Sequence, residues 1–268
     1  MSRRILIAII AAAAMICACG PRLVIVHAND THSHLDPERI GRNAGHGGIV
    51  ERAAIIDSIR TKYGRDKVLV LHAGDFNQGT TYFSELGGNL EIELVNAIGY
   101  DCICLGNHEM DNGLEDLASR LARINCDVIC ANCDFSSLPL GRYVKPYTVI
   151  ERGGMKIGFV GLISDIKSVV SKPISDRIPL LDNVEVTNKW AKYLKTELGC
   201  DFVILLSHIG WKEDAELIKK SSNIDLVVGG HSHTFVDEMK YVTDSEGKTV
   251  PIVTDGCNGV ELGEIKVY

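Results

Sequence analysis

The sequence predicts an α/β fold. Strand-length apolar runs alternate with one-faced helical patterns, and the runs are mostly too continuous to be half-exposed strands. Short polar blocks also stand where these runs end, the place where α/β sheets gather ligands. With 268 residues, 46% of them hydrophobic, the chain is long enough to form one large domain with a proper core.

Leu23 to Val26 opens the series of runs. Val68 to Leu71, Cys102 to Leu105, Val128 to Cys130, Ile157 to Val160, Phe202 to Leu206 and Leu226 to Val228 follow, each expected to lie buried in a sheet. Helical patterns fill the intervals at Ile49 to Ile59, Glu85 to Ile98, Leu114 to Ile124 and Asp214 to Lys219. The clearest helix starts at Asp182-Asn183, carries Val184, Ala191, Leu194 and Leu198 on one face, and meets Gly199 at its end. The tail differs. Met239 to Val242, Val250 to Val253 and Leu262 to Val267 are short, separated by turn sequences, and read as antiparallel strands.

The first residues read as a processing signal outside the fold. Ser2-Arg3-Arg4 is a basic start and Ile5 to Ile16 a continuous apolar stretch, too short to span a bilayer comfortably. Ile16-Cys17-Ala18-Cys19 resembles a bacterial lipobox, which implies cleavage after residue 18 and a lipid anchor to the membrane on Cys19. An ordinary cleaved secretory signal is the alternative, and export follows from either. Residues 19–268 then form the working domain, whose net charge moves from -7 to -9 with the loss of Arg3 and Arg4. Such a balance offers no footprint for a nucleic-acid polymer, although metals can supply local positive charge for an anionic substrate.

Seven cysteines follow Cys19, an odd number and a poor disulfide framework. Cys126, Cys130 and Cys133 are spaced closely enough for a zinc or iron-sulfur site, but Cys130, Cys102 and Cys104 sit inside apolar runs. Buried small hydrophobes are the favoured reading. Gly45-His46-Gly47-Gly48 lacks the pattern of a phosphate-cradling loop and reads better as a helix entry.

Five polar blocks carry the chemistry: Asn29-Asp30-Thr31-His32, Gly74-Asp75, Gly106-Asn107-His108-Glu109-Met110-Asp111, Ser207-His208 and Gly229-Gly230-His231-Ser232-His233. Their imidazole, carboxylate and amide groups suit first-row divalent metals. Alone, each could cap a turn or hold a loop. Five of them at strand ends read as one two-metal hydrolytic site. Asp30 and His32 are two apart, as are His231 and His233, which in an extended strand end puts both side chains on one face. A metal pair about 3.5 to 4 Å apart needs a bridging carboxylate, and Asp75 is the natural candidate.

The order Asn-Asp-x-His, Gly-Asp, Gly-Asn-His-Glu, Ser-His, Gly-His-x-His resembles the calcineurin-like metallophosphoesterases. The form Gly-Asn-His-Glu-x-Asp, with Gly74-Asp75-Phe76-Asn77-Gln78-Gly79 before it, is similar to the metallophosphatase domain of bacterial 5'-nucleotidases, over about Leu23 to Tyr268. The resemblance implies a four-layer αββα sandwich with two mixed sheets. It implies two divalent metal ions, the first on Asp30, His32, Asp75 and His233 and the second on Asp75, Asn107, His208 and His231. It also implies a catalytic dyad of His108 and Asp111, with Asn107 and His108 meeting the substrate. Glu109 is expected to support a metal-bound histidine.

The activity so implied is hydrolysis of a nucleotide or other phosphate ester by attack of metal-bound hydroxide. A cyclic-nucleotide or broad-specificity phosphodiesterase is the alternative enzyme, and a non-catalytic metal-binding lipoprotein subunit the alternative from another class. The resemblance further implies a C-terminal nucleotidase domain, expected here as a separately encoded partner, with the protein facing the periplasm. Trp211 is conceivable as a stacking platform, and a core or rim aromatic is the favoured reading.

Overall fold

Every position of the first strand is buried because it is covered on both sides, and the same holds for most of the sheet. The computed structural model describes residues 20–236 and 238–268; the expected processing signal and Cys19 lie outside them. The strands are β1 (Leu23–Ala28), β2 (Val68–His72), β3 (Cys102–Cys104), β4 (Asp127–Ile129), β5 (Val144–Lys145), β6 (Tyr147–Arg152), β7 (Met155–Ile163), β8 (Phe202–His208), β9 (Leu226–Gly229), β10 (Lys240–Thr243), β11 (Thr249–Val253) and β12 (Gly263–Val267). The helices are α1 (Ile49–Tyr63), α2 (Thr81–Leu86), α3 (Asn89–Ile98), α4 (Leu114–Leu121), α5 (Ile166–Val169), α6 (Lys172–Ser175), α7 (Asn183–Thr196) and α8 (Trp211–Ile218).

They form two six-stranded mixed sheets, in the orders β12-β1-β2-β3-β4-β5 and β10-β11-β9-β8-β7-β6. Leu23 and Ile25 of β1, with Leu69 and Leu71 of β2, face inward and meet Ile157, Phe159, Ile204 and Leu206 of the other sheet. The alternate residues Val24, Val26, Val68 and Val70 face outward and pack under Ile56, Ile59, Ile92 and Val95 of α1 and α3. On the far side Val160, Leu162, Val203 and Leu205 pack under Ala191, Leu194, Leu217 and Ile218 of α7 and α8. The result is the expected four layers of helix, sheet, sheet and helix.

Three features depart from the sequence reading. Glu85 to Ile98 is not one helix, because Gly87 and Gly88 at φ 62° and 82° end α2 and start α3. The tail is mixed: β10 pairs antiparallel with β11 and β12 with β1, but β11 lies parallel to β9. Strand β6 is not signalled, since its half-exposed residues alternate weakly; along its whole length it pairs antiparallel with β7, from Tyr147↔Val160 to Arg152↔Met155.

Cys102, Cys104, Cys130, Cys133 and Cys200 are buried in the core as free thiols. Gly48 is the N-terminal boundary of α1, so the glycine cluster does serve as a helix entry. Trp211 begins α8 half-buried and packs against the outer core of the second sheet.

Candidate metal centre

All five polar blocks leave the carboxyl ends of strands on the same edge of the sandwich. Asn29 to Ser33 follow β1, Ala73 to Gln78 follow β2 and Leu105 to Asp111 follow β3, while β8 ends on His208 and β9 leads into His231. Because β1, β2 and β3 run parallel, as do β7, β8 and β9, these loops meet across the seam between the two sheets.

The loops do not continue the strands. Asp30, His32, Asp75, His231 and His233 all take left-handed backbone conformations, at φ 48°, 46°, 56°, 74° and 50°. Side chains with a Cβ adopt that region rarely and at a cost, so the surrounding structure must hold them there. This corrects the extended-strand reading of the Asp30/His32 and His231/His233 pairs. Their side chains converge through tight turns rather than through strand alternation. Asp30 N–H bonds the Gly74 carbonyl at 2.9 Å and His32 N–H the Asp75 carbonyl at 3.1 Å, tying the first two turns together.

Three groups of ligating atoms result, each drawn within 4.8 Å: Asp30 with His32 and His233, Asp75 with His208 and His231, and His32 with Asp75 and His108. His32 Nε2 and His233 Nε2 face each other at 2.9 Å, with Asp30 Oδ1 3.8 and 3.4 Å from them. His208 Nε2 stands 3.0 Å from Asp75 Oδ2. The other ring nitrogens are already engaged on backbone carbonyls: His208 Nδ1 on Ala73 at 2.6 Å and His32 Nδ1 on Asn77 at 3.3 Å. That arrangement makes each Nδ1 the donor and leaves Nε2 as a lone-pair ligand, as a metal site requires.

Asn107 is 4% exposed, and its Oδ1 accepts from Ser164 at 3.4 Å. The next N–H, of His108, bonds Asp75 Oδ1 at 2.9 Å. Glycine is required beside these atoms. A Cβ on Gly230 would stand 2.9 Å from His208 Nδ1 and 3.0 Å from Asp30 Oδ2, and one on Gly106 would collide with Asp75.

The electrostatics fit cations. Burial works against ionisation of Asp75, yet His208 holds its carboxyl well below the usual range. Burial also opposes charge on His208, but the Asp75 and Asp30 carboxylates lift it to about 10. His233 is lifted to about 10 by its hydrogen bond to Asp30. Carboxylates that draw protons onto imidazoles so strongly form a site of negative potential, and divalent ions suit a donor set of imidazole and carboxylate.

His108 differs from the others. Its Nδ1 bonds Asp111 Oδ2 at 2.9 Å, a contact that raises its pKa, and the pair is about one-third exposed. Nδ1 is therefore the donor to Asp111, and the imidazolium that this contact favours carries its second proton at Nε2, with the His32 ring centroid 5.4 Å from that of His108.

Glu109 corrects the expectation that it supports a metal-bound histidine. It is fully buried and accepts four backbone N–H groups, from Asp75 at 2.9 Å, Phe76 at 3.0 Å, Asn77 at 3.2 Å and Gly106 at 2.7 Å. Burial and the Asp75 carboxylate push its carboxyl up to about 7, against these four donors, which favour the anion.

Two supporting residues escaped the sequence reading. Asn29 Nδ2 donates to Asp30 Oδ2 at 2.5 Å and to the Gly256 carbonyl at 2.7 Å, fixing the carboxylate. It does belong to the first polar block, where an amide before a ligand carries no distinct signal. Arg120, fully buried on α4, donates to the Glu109 carbonyl at 2.9 Å, and an arginine in a charged helical pattern gives no hint of burial.

Residues 23–235 match the family model described as calcineurin-like phosphoesterase. The chain belongs to the calcineurin-like phosphoesterase family. Among its relatives, a snake venom 5'-nucleotidase from Gloydius brevicauda is 34% identical over 96% of this chain and 47% of its own length. A probable 5'-nucleotidase from Treponema pallidum is 35% identical over 79% of this chain and 36% of its own. The crystal structure of a 5'-nucleotidase precursor from Thermus thermophilus superposes with a TM-score of 0.82, 31% identity, and coverage of 90% of this chain and 50% of that one. This calcineurin-like phosphoesterase chain thus spans about half the length of these relatives or less.

Proposed function

We propose that this chain is the metallophosphatase domain of a 5'-nucleotidase-type phosphomonoesterase that works with two divalent ions. The carrying observation is the set of three ligand groups, linked one to the next through His32 and Asp75, on the loop edge of a calcineurin-like fold. One ion would sit on Asp30, His32, Asp75 and His233, the other on Asp75, Asn107, His208 and His231, with Asp75 between them. Bound there, the ions would supply Lewis acidity toward the phosphoryl oxygens and lower the pKa of water.

The chain's own groups do the rest. Asp75 offers Oδ2 on the His208 side, while Oδ1 takes the His108 N–H. His108, oriented and kept cationic by Asp111, holds a proton at Nε2 for the transferring phosphoryl group or the leaving oxygen. Asn107, anchored by Ser164, presents an amide beside both.

The nucleotide preference rests on the relatives, whose names describe 5'-nucleotidases. The rest of the substrate would be met by a C-terminal nucleotidase domain. Export and lipid attachment at Cys19 complete the reading, with the domain facing the periplasm. Its geometry suits a tether: β1 starts at Leu23, and its six residues separate the tethered end from Asp30 by about 20 Å, leaving the site on the far edge.

The test is hydrolysis of a nucleoside monophosphate, a cyclic nucleotide and an aryl phosphate with added manganese. Release of phosphate from the monophosphate first supports the proposal; faster turnover of the cyclic nucleotide would replace it by a phosphodiesterase.

A further inference from the structure

Behind the turn that carries Asp30 and His32 lies a half-open pocket of about 20 Å³, lined by that turn and by residues of α1, α3 and β2. Ser33, Arg52, His72, Glu91 and Tyr100 line it, and none is more than 6% exposed. Ser33 Oγ, Arg52 Nε, His72 Nδ1 and both Glu91 carboxylate oxygens are buried with no hydrogen-bond partner among the described residues. Leaving one such group unpaired costs about 1 to 3 kcal/mol. Five of them around one cavity therefore point to a ligand.

The lining decides its chemistry. Arg52 offers only donors, which repels a cation, and the Glu91 carboxylate offers only acceptors, which repels an anion. A water both donates and accepts, and this volume holds one.

The cavity reaches the ligand loop through His72. Its Nε2 lies 3.1 Å from Thr31 Oγ1, and the ring is set edge-on to Phe76 and Tyr100, with centroids 5.9 and 5.4 Å away. Thr31 stands between Asp30 and His32, both of which need an external hold on their left-handed backbones. We infer that one ordered water links Glu91 and Arg52 to His72 Nδ1, making these three buried side chains positioning residues for the Asp30–His32 metal-ligand turn. The inference rests on the proposal that Asp30 and His32 bind metal.

Equilibrium dialysis of the intact chain against Mn²⁺ tests it together with a crystal structure at atomic resolution. A water on Glu91 and His72 supports the inference; Glu91 paired directly with Arg52 across a closed cavity overturns it. Glu91→Leu is expected to weaken Mn²⁺ binding about tenfold, the scale of a lost outer-shell partner, whereas Glu91→Gln should stay within roughly threefold of the native chain. Unchanged binding by folded Glu91→Leu overturns the inference. Should that variant not fold, His72→Phe keeps the ring packing and removes the bond to Thr31, with the same tenfold loss expected and unchanged binding again overturning it. Absence of Mn²⁺ binding by the native chain would instead sink the metal-site proposal, so the two failures are distinguishable.

Discussion

Glu109 holds Asp75 by its backbone, not its side chain: Glu109 Oε2 accepts the Asp75 N–H at 2.9 Å and the Gly106 N–H at 2.7 Å. Its Oε1 takes Phe76 and Asn77. One carboxylate thus joins the loops after β2 and β3 and keeps Asp75 in its left-handed conformation. Glu109→Gln replaces one acceptor by an NH₂ group facing N–H donors. The variant should lose about 2 to 3 kcal/mol in urea unfolding. A change under half a kcal/mol would remove the clamp.

His108 is bound to Asp111 rather than to the ligand carbonyls, so removing it should spare the metals. His108→Ala is expected to bind Mn²⁺ as the native chain does and to lose roughly 10²- to 10⁴-fold in turnover of a phosphate monoester. Full activity would show that the proton at Nε2 is not used.

Asp75 belongs to two of the three ligand groups. Asp75→Asn removes the charge that both share, and metal content measured after dialysis should fall for both ions together. Loss of a single ion would place the bridge elsewhere.

Gly230 has no room for a side chain, because a Cβ would meet the Ala73 carbonyl at 2.6 Å as well as His208 and Asp30. Gly230→Ala should fold, since its backbone is not left-handed, yet weaken Mn²⁺ binding about tenfold by moving two ligands. Native affinity in this variant would mean the loop relaxes freely.

Asp214 gives the pH dependence. It is fully buried on α8, bonded to Ser207 Oγ at 2.6 Å, and burial pushes its carboxyl up to about 7. A carboxyl raised in the folded state contributes stability below its ordinary value near 4, and that contribution is lost as pH rises toward 7. With chelator present, Asp214→Asn should therefore gain on the native chain between pH 5 and pH 7, by at most about 1.4 kcal/mol per unit. Parallel stability curves would show that the carboxyl is not held neutral.

The sequence by itself determined the layers and the chemistry. Leu23 to Val26 reads as doubly covered because alternate residues pack on opposite faces, and every run of that kind proved to be a strand. The polar blocks at the strand ends likewise announced which residue types would meet, since parallel strands send their carboxyl ends to one edge. Tertiary structure decided what no local pattern encodes. The half-exposed β6 is a strand because β7 lies beside it, and β11 runs parallel to β9 because a loop returns it there. Above all, the ligand turns at Asp30, His32, Asp75, His231 and His233 are left-handed, a conformation disfavoured for these residues and held by Glu109, Asn29 and neighbouring backbone groups distant in the chain. Residue type and burial period are local properties, whereas strained geometry exists only when the whole fold supplies its partners.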